Sequence, residues 1–168
     1  MKKIVLQLFI TLLYFGLNGQ TYPPCTNGTQ AVCKCTTAPL LCTIDELDGY
    51  VLTMSSYQHA GDGPSPMCPG NPTSTTNNPT WFKFKAWCTD LSLQCTASSC
   101  SGGNGTIQIA VYSGCPATVG NNVACDVTVA NCNQNVKTIN MTGLTIGATY
   151  WFMVDGCGGA ACTVTIDI

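Results

Sequence analysis

The chain has 168 residues, of which only 8% are charged, and it contains six lysines, no arginine, one histidine and thirteen cysteines. Proteins that bind nucleic acids neutralise phosphates with clustered Lys and Arg, so this composition excludes that class. Thr, Asn, Ser and Gly carry most of the polarity, which favours a β-rich extracellular module over a helical cytosolic enzyme. The length fits one domain preceded by a leader.

The first twenty residues have the pattern of an export signal. Lys2 and Lys3 form a positive segment, residues 4–17 are almost entirely apolar, and small and polar residues follow. A membrane anchor, the alternative, needs about 20 apolar residues, and this run is shorter. The sequence therefore predicts a signal peptide over residues 1–20, a secreted or cell-surface location, and no membrane span in the mature chain.

All thirteen cysteines follow the predicted signal peptide, so they lie in the exported part of the chain. Thiols in exported proteins are oxidised to disulfides. Two pairs look local: Cys157 with Cys162, and Cys125 with Cys132, each closing a turn between strands. Because thirteen is an odd number, at least one cysteine is left free, buried or paired with another chain. A zinc site is the rival interpretation, although the Cys-x-Cys spacing lacks a second matching pair; its candidate ligands are Cys25, Cys33, Cys35 and Cys42.

In chain order, residues 21–42 lack periodicity and predict an irregular cap held by disulfides, whereas residues 43–168 predict a β-sandwich domain. A strand is expected over 49–57, a long loop over 58–79, and at most one helical turn over 40–48. Six further alternating runs, separated by Gly, Asn and Pro, predict an antiparallel, jelly-roll-like, all-β sandwich. They are 80–88, 91–97, 105–114, 135–144, 148–156 and 162–168.

The alternation of side chains within these runs separates core positions from surface positions. The predicted core comprises Phe82, Phe84, Ala86, Ile107, Ile109, Val111, Tyr150, Phe152, Val154, Val164, Ile166 and Ile168. The opposite face of the first of these runs then carries Trp81, Lys83, Lys85 and Trp87. If that face is open, its flat rings and cations suit sugar rings or acidic polymers. The alternative is that both tryptophans cover the ends of the sandwich and the lysines solubilise its surface.

Four motifs occur in the order of a known family: WFKFKA (81–86), IQIAVY followed by SGC (107–115), LTIGATY (144–150) and VDG (154–156). Residues 40–168 thereby resemble the bacterial pre-peptidase C-terminal and CUB-like β-sandwich modules. The resemblance implies a non-catalytic, accessory role in secreted or surface proteins. It carries no ligand residue to this chain.

Acidic residues suggest a calcium site as a hypothesis. Asp45, Glu46 and Asp48 cluster before a predicted strand, and Asp155 ends another. Calcium takes six to eight oxygen ligands, which Asp45, Asp48, Asp155 and loop carbonyls would supply. Against it, Asp-Gly pairs such as 155–156 are common in hairpins, and no EF-hand spacing is present. No other cofactor is predicted.

Catalysis is not expected from this sequence. A hydrolase would need a nucleophile, a base and an orienting group, and His59 with Asp62 is the only candidate pair, without a Gly-x-Ser-x-Gly elbow. We therefore expect a non-catalytic secreted or cell-surface module for binding or adhesion, with an extracellular polymer such as a carbohydrate, or a surface protein, as its partner. The alternatives are a structural spacer or accessory domain of a larger exported protein and, less favoured, a small secreted hydrolase.

Overall fold

Antiparallel strands in two sheets of four make up most of the computed structural model, which describes residues 21–127 and 134–168. The predicted signal peptide and Cys132 lie outside the described residues. One sheet has the order β1-β8-β3-β6 and the other has the order β2-β7-β4-β5. The strands are β1 (Tyr50–Thr53), β2 (Thr80–Lys85), β3 (Leu91–Ser101), β4 (Ile107–Tyr112), β5 (Asn122–Asp126), β6 (Val136–Met141), β7 (Thr149–Gly156) and β8 (Ala161–Asp167).

The strand pairing is that of a jelly roll. β1 pairs with β8, β2 with β7, β3 with β6 and β4 with β5, as when one long hairpin is rolled into two layers. The predicted all-β sandwich is therefore confirmed, and the helical turn expected over 40–48 is a 3-10 helix at Ile44–Leu47; a further 3-10 turn lies at Ala31–Cys33. Strand β5 was missed because its five residues, NVACD, are short and do not alternate cleanly. Within the described ranges, no helix is long and apolar enough to cross a membrane.

The space between the sheets holds the predicted core. Eleven of the twelve expected side chains are buried there, and Ile168 packs partly buried at its margin. Burial of each large apolar side chain stabilises the fold by about 1.5 to 3 kcal/mol. The period-two alternation thus identified the inner faces of β2, β4, β7 and β8 correctly.

The outer face of the β2-β7-β4-β5 sheet is also buried, which the sequence did not predict. Trp81, Tyr112 and Met153 are fully buried on this face, covered by Met67 from the long loop and by Cys35 from the N-terminal cap. All six residues of β4 are consequently buried, as in a strand covered on both sides. This sheet is the middle layer of the domain.

Disulfides fasten the coverings to the sheets, in a pattern that corrects the predicted pairs. Cys162 bonds Cys100 on the neighbouring strand β3, not Cys157, and Cys125 bonds Cys68 in the long loop, so it is not available to Cys132. Cys157 is disulfide-bonded as well. The predictions failed because strands adjacent in a jelly roll are far apart in sequence. The four described pairs are Cys25–Cys33, Cys35–Cys115, Cys68–Cys125 and Cys100–Cys162.

Candidate functional site

The predicted aromatic and cationic stripe on β2 does not form one open face. Trp81 is fully buried, Lys83 is half-buried, and only Lys85 and Trp87 are exposed. Two coverings cause this: cap residues 39–41 run beside β2 and form a parallel bridge between Leu40 and Lys83, while Cys35 of the cap and Met67 of the long loop pack over Trp81. Trp81 and Lys83 are thereby removed from the candidate contact surface.

Trp87 remains as an exposed aromatic side chain held in a defined orientation. The residue is 67% exposed, yet its indole Nε1–H donates to the Cys42 carbonyl oxygen at 3.2 Å. Ile146 is 63% exposed in the β6–β7 loop, and that loop is fastened beside Trp87 by a 2.8 Å hydrogen bond from Gly147 N–H to the Ala86 carbonyl. The two exposed apolar side chains therefore lie on neighbouring segments, and contiguous exposed apolar surface is typical of a contact site.

A shallow pocket of about 120 Å³ lies at the base of Trp87. It is small beside the roughly 300 to 1,000 Å³ of sites that enclose a small molecule, so it suits one substituent of a larger ligand. Lys85 and Asp45 place one charge of each sign at its rim. The lining is mostly apolar and consists of Thr43, Ile44, Asp45, Phe84, Lys85, Ala86, Trp87, Cys88, Leu91 and Leu144. We call this pocket, together with the Trp87 indole and Ile146, the Trp87 site.

The sequence indicated only part of this site. Lys85 and Trp87 were predicted ligand residues, whereas Leu91, Leu144 and Ile146 carried no signal beyond their strands and turns. Their convergence depends on the β6–β7 loop meeting the segment after β2, where Leu144 N–H donates to the Thr89 carbonyl at 2.8 Å. Such contacts between distant segments are not encoded in local periodicity.

Asp155 has a structural setting in place of the predicted calcium site. It is fully buried, and its Oδ1 accepts hydrogen bonds from the backbone N–H groups of Asn77 and Asn78, both at 2.8 Å. Its Oδ2 accepts from Gln108 Nε2 at 2.8 Å. The carboxylate therefore fastens the end of the long loop to strands β4 and β7.

Burial raises the pKa of Asp155 to about 6, while the hydrogen bonds from Gln108, Asn77 and Asn78 and the nearby His59 act in the opposite direction. The group is consequently ionised at neutral pH, which matches its three donors.

The predicted calcium ligands do not converge. Asp155 is saturated by N–H donors, and Asp48 Oδ1 accepts from the Ile168 backbone N–H at 3.0 Å. Among the described residues, Asp45, Asp48 and Asp155 form no cluster of the size that would hold an ion. Asp48 and Asp155 thus fasten separate parts of the fold, and the described residues give the calcium hypothesis no support.

His59 is placed for structure and not beside a catalytic partner. Its Nδ1 lies 2.9 Å from the Tyr57 carbonyl oxygen and its Nε2 lies 2.8 Å from that of Pro79, so both ring nitrogens face acceptors. The Asp62 carboxylate instead pairs with Lys34 at 3.9 Å.

The sulfur atoms near His59 do not offer a metal site. Cys25 and Cys33 lie close to the ring, but their sulfur atoms are joined to each other in a disulfide. Cys35 is likewise bonded to Cys115, so three of the four predicted zinc ligands are not thiolates. The zinc interpretation is wrong for this set.

A second depression crosses the cap, the long loop and the β4–β5 loop. Two adjoining hollows of about 170 and 290 Å³ share Ala117, and prolines line much of them. Its charged groups, Lys34 and Asp62, pair with each other across the hollow. Because it presents no exposed aromatic ring, it is the weaker candidate for ligand contact.

No family model, no curated protein and no solved structure matches this chain. The resemblance to pre-peptidase C-terminal and CUB-like modules therefore stays a hypothesis, and the candidate site stands on its geometry alone.

Proposed function

We propose that this protein is a non-catalytic secreted or cell-surface binding module that contacts an extracellular polymer, a carbohydrate in the first instance, through the Trp87 site. One observation carries the proposal: Trp87 is 67% exposed while its indole N–H already donates to a backbone carbonyl of the protein. Such a ring offers a flat apolar face to a ligand without having to reorganise.

The surroundings of the indole fit a sugar chain. A pyranose ring presents C–H groups to an aromatic face, and a substituent of the ring or of its neighbour can enter the shallow pocket beside Trp87. Lys85 can donate to hydroxyl or carboxylate oxygens, and Asp45 can accept from hydroxyls. A site of this kind gives affinities of about millimolar to micromolar, roughly 4 to 8 kcal/mol.

The location and the non-catalytic role are supported by separate features. The four disulfides between described residues are consistent with an extracellular protein. His59 and Asp62 each have other partners, so the hydrolase alternative has no assembled pair behind it.

A binding screen with matched variants tests the proposal. Immobilised mannan, cellulose and alginate are offered to the wild type, to Trp87→Ala and to Val51→Ala, since Val51 is also exposed but lies on β1 of the other sheet. We expect binding to at least one polymer, a loss of about 30-fold in Trp87→Ala because aromatic anchors contribute about 2 kcal/mol, and no change in Val51→Ala.

The contrary outcomes are distinct. Equal binding by folded wild type and Trp87→Ala would move the contact elsewhere, with the loop 58–79 as the next surface to examine. Failure of all three polymers to bind would favour a structural spacer or accessory domain of a larger exported protein.

A further inference from the structure

Three cysteines among the described residues are free thiols, and they differ sharply in exposure. Cys95 is buried in the core, whereas Cys42 and Cys88 are exposed. Burial raises the pKa of the Cys95 thiol, so it is protected from oxidation both by its surroundings and by the scarcity of its thiolate. Cys42 and Cys88 are instead open to solvent in the compartment that oxidised the other pairs.

Cys88 lines the pocket of the Trp87 site, and Cys42 borders the site through its backbone. Cys88 directly follows Trp87 in the chain, and the Trp87 indole donates to the carbonyl of Cys42 at 3.2 Å. Thr43, the neighbour of Cys42, lines the same shallow pocket as Cys88. Two segments 46 residues apart in sequence thus both reach the Trp87 side chain, one through the Cys42 carbonyl and the other through the Cys88 neighbour of Trp87.

The backbone near the two thiols is held by hydrogen bonds, but the two cysteines lie outside the strands. Leu41 N–H donates to the Lys83 carbonyl at 2.8 Å, which holds the segment before Cys42 against β2. Cys42 and Cys88 themselves lie in bends outside the strands. The Cys88 Sγ–H now donates to the Asp90 carbonyl at 3.0 Å, so a bond to Cys42 replaces this contact and leaves the pairing of strand β2 in place.

We propose that Cys42 and Cys88 form a further disulfide in the exported protein, closing the rim of the Trp87 site. The bond forms by thiol–disulfide exchange with a disulfide-bearing oxidant, either an oxidoreductase of the export compartment or a small-molecule disulfide. Both S–H bonds break, one S–S bond forms in the protein, and the two electrons and two protons convert the oxidant's disulfide to two thiols.

The bond would link the segment that accepts the Trp87 hydrogen bond to the segment that carries Trp87. Its consequence for ligand binding rests on the proposed function: a closed rim holds the indole ready for contact, and reduction loosens it. The existence of the bond does not depend on any ligand, so the two ideas can fail separately.

A two-step thiol count tests the bond. The full chain is exported to the periplasm of a bacterial host and purified without reductant. It is alkylated with iodoacetamide in the native state, then unfolded and alkylated with N-ethylmaleimide, and its peptides are examined by mass spectrometry. We expect no iodoacetamide on Cys42 or Cys88, a disulfide-linked peptide pair containing both, and N-ethylmaleimide on Cys95.

Two variants sharpen the result. Cys88→Ser should leave Cys42 open to native alkylation or capped by a small thiol, whereas Cys95→Ala should leave the linked peptide pair intact. Native alkylation of both Cys42 and Cys88 in the wild type would overturn the proposal, and so would a link from either of them to another cysteine or to a second chain.

Discussion

Asp155 gives the sharpest prediction about stability, because the structure buries its carboxylate and raises its pKa from 3.8 to about 6. Between these two pH values the folded state holds a proton on Asp155 more tightly than the unfolded state does. The free energy of unfolding therefore includes a contribution that is fully present below pH 3.8 and is lost as the pH rises through about 6. At about 1.4 kcal/mol per pKa unit, this contribution is about 3 kcal/mol.

The perturbation is Asp155→Asn, which keeps the shape of the side chain and removes its titration. The substitution also lowers the unfolding free energy by about 1 to 3 kcal/mol through a lost hydrogen bond. In the wild type Asp155 Oδ2 accepts from Gln108 Nε2, whereas in the variant an amide N–H₂ group faces that donor. That cost does not vary with pH. The informative quantity is therefore the difference in unfolding free energy between wild type and variant, followed across pH.

The assay is urea unfolding of both proteins from pH 3.5 to 7.5, with disulfides intact. We expect the wild type to lose about 3 kcal/mol relative to Asp155→Asn as the pH rises across the window from 3.8 to about 6. Repeating the series in a His59→Gln background removes the only histidine of the chain, so that its titration cannot imitate the effect. Parallel stability profiles for wild type and variant would refute the reasoning.

Three further predictions concern packing, crosslinking and chemistry. Trp81→Ala should lower the unfolding free energy by about 3 to 5 kcal/mol, because Trp81 is fully buried. Trp87→Ala should change it by less than about 1 kcal/mol, because Trp87 is exposed. Similar losses for the two variants in urea unfolding would contradict the assignment of Trp81 to the core and Trp87 to the surface. The paired change of Cys100 and Cys162 to serine should cost about 2 to 5 kcal/mol in the same assay, and unaltered stability would show that this bond is dispensable. His59→Ala should leave any hydrolysis of ester, glycoside or peptide substrates unchanged. If the substitution abolished such hydrolysis, the non-catalytic proposal would have to be withdrawn.

Local sequence patterns were sufficient to predict the inner faces of the two sheets, but not the cap and loop that cover the outer face of one of them. Alternation along β2 and β7 placed Phe82 and Phe152 correctly, because one inner face is enough to define a period of two. The same alternation assigned Trp81 to an outer face, and no periodicity can show that a cap and a loop bury that face.

Pairing between distant segments could not be predicted from the sequence, for the same reason. Cys100 and Cys162 bond because β3 and β8 are neighbours in the sheet, although 62 residues separate them. The Trp87 site likewise needs the β6–β7 loop beside the end of β2, so its tryptophan could be singled out from sequence while Leu144 and Ile146 could not.

The most direct test of the Trp87 site uses the three tryptophan indole N–H signals in a ¹H–¹⁵N NMR spectrum of the protein. Trp87 is the exposed ring, Trp81 is fully buried, and Trp151 donates its N–H to the Cys35 carbonyl at 3.0 Å. A soluble oligosaccharide of whichever polymer binds in the screen is titrated into the protein. A saturable shift of the Trp87 signal, with the Trp81 and Trp151 signals unmoved, is the expected result. Saturable binding that leaves the Trp87 signal unchanged would contradict the assignment of ligand contact to this site.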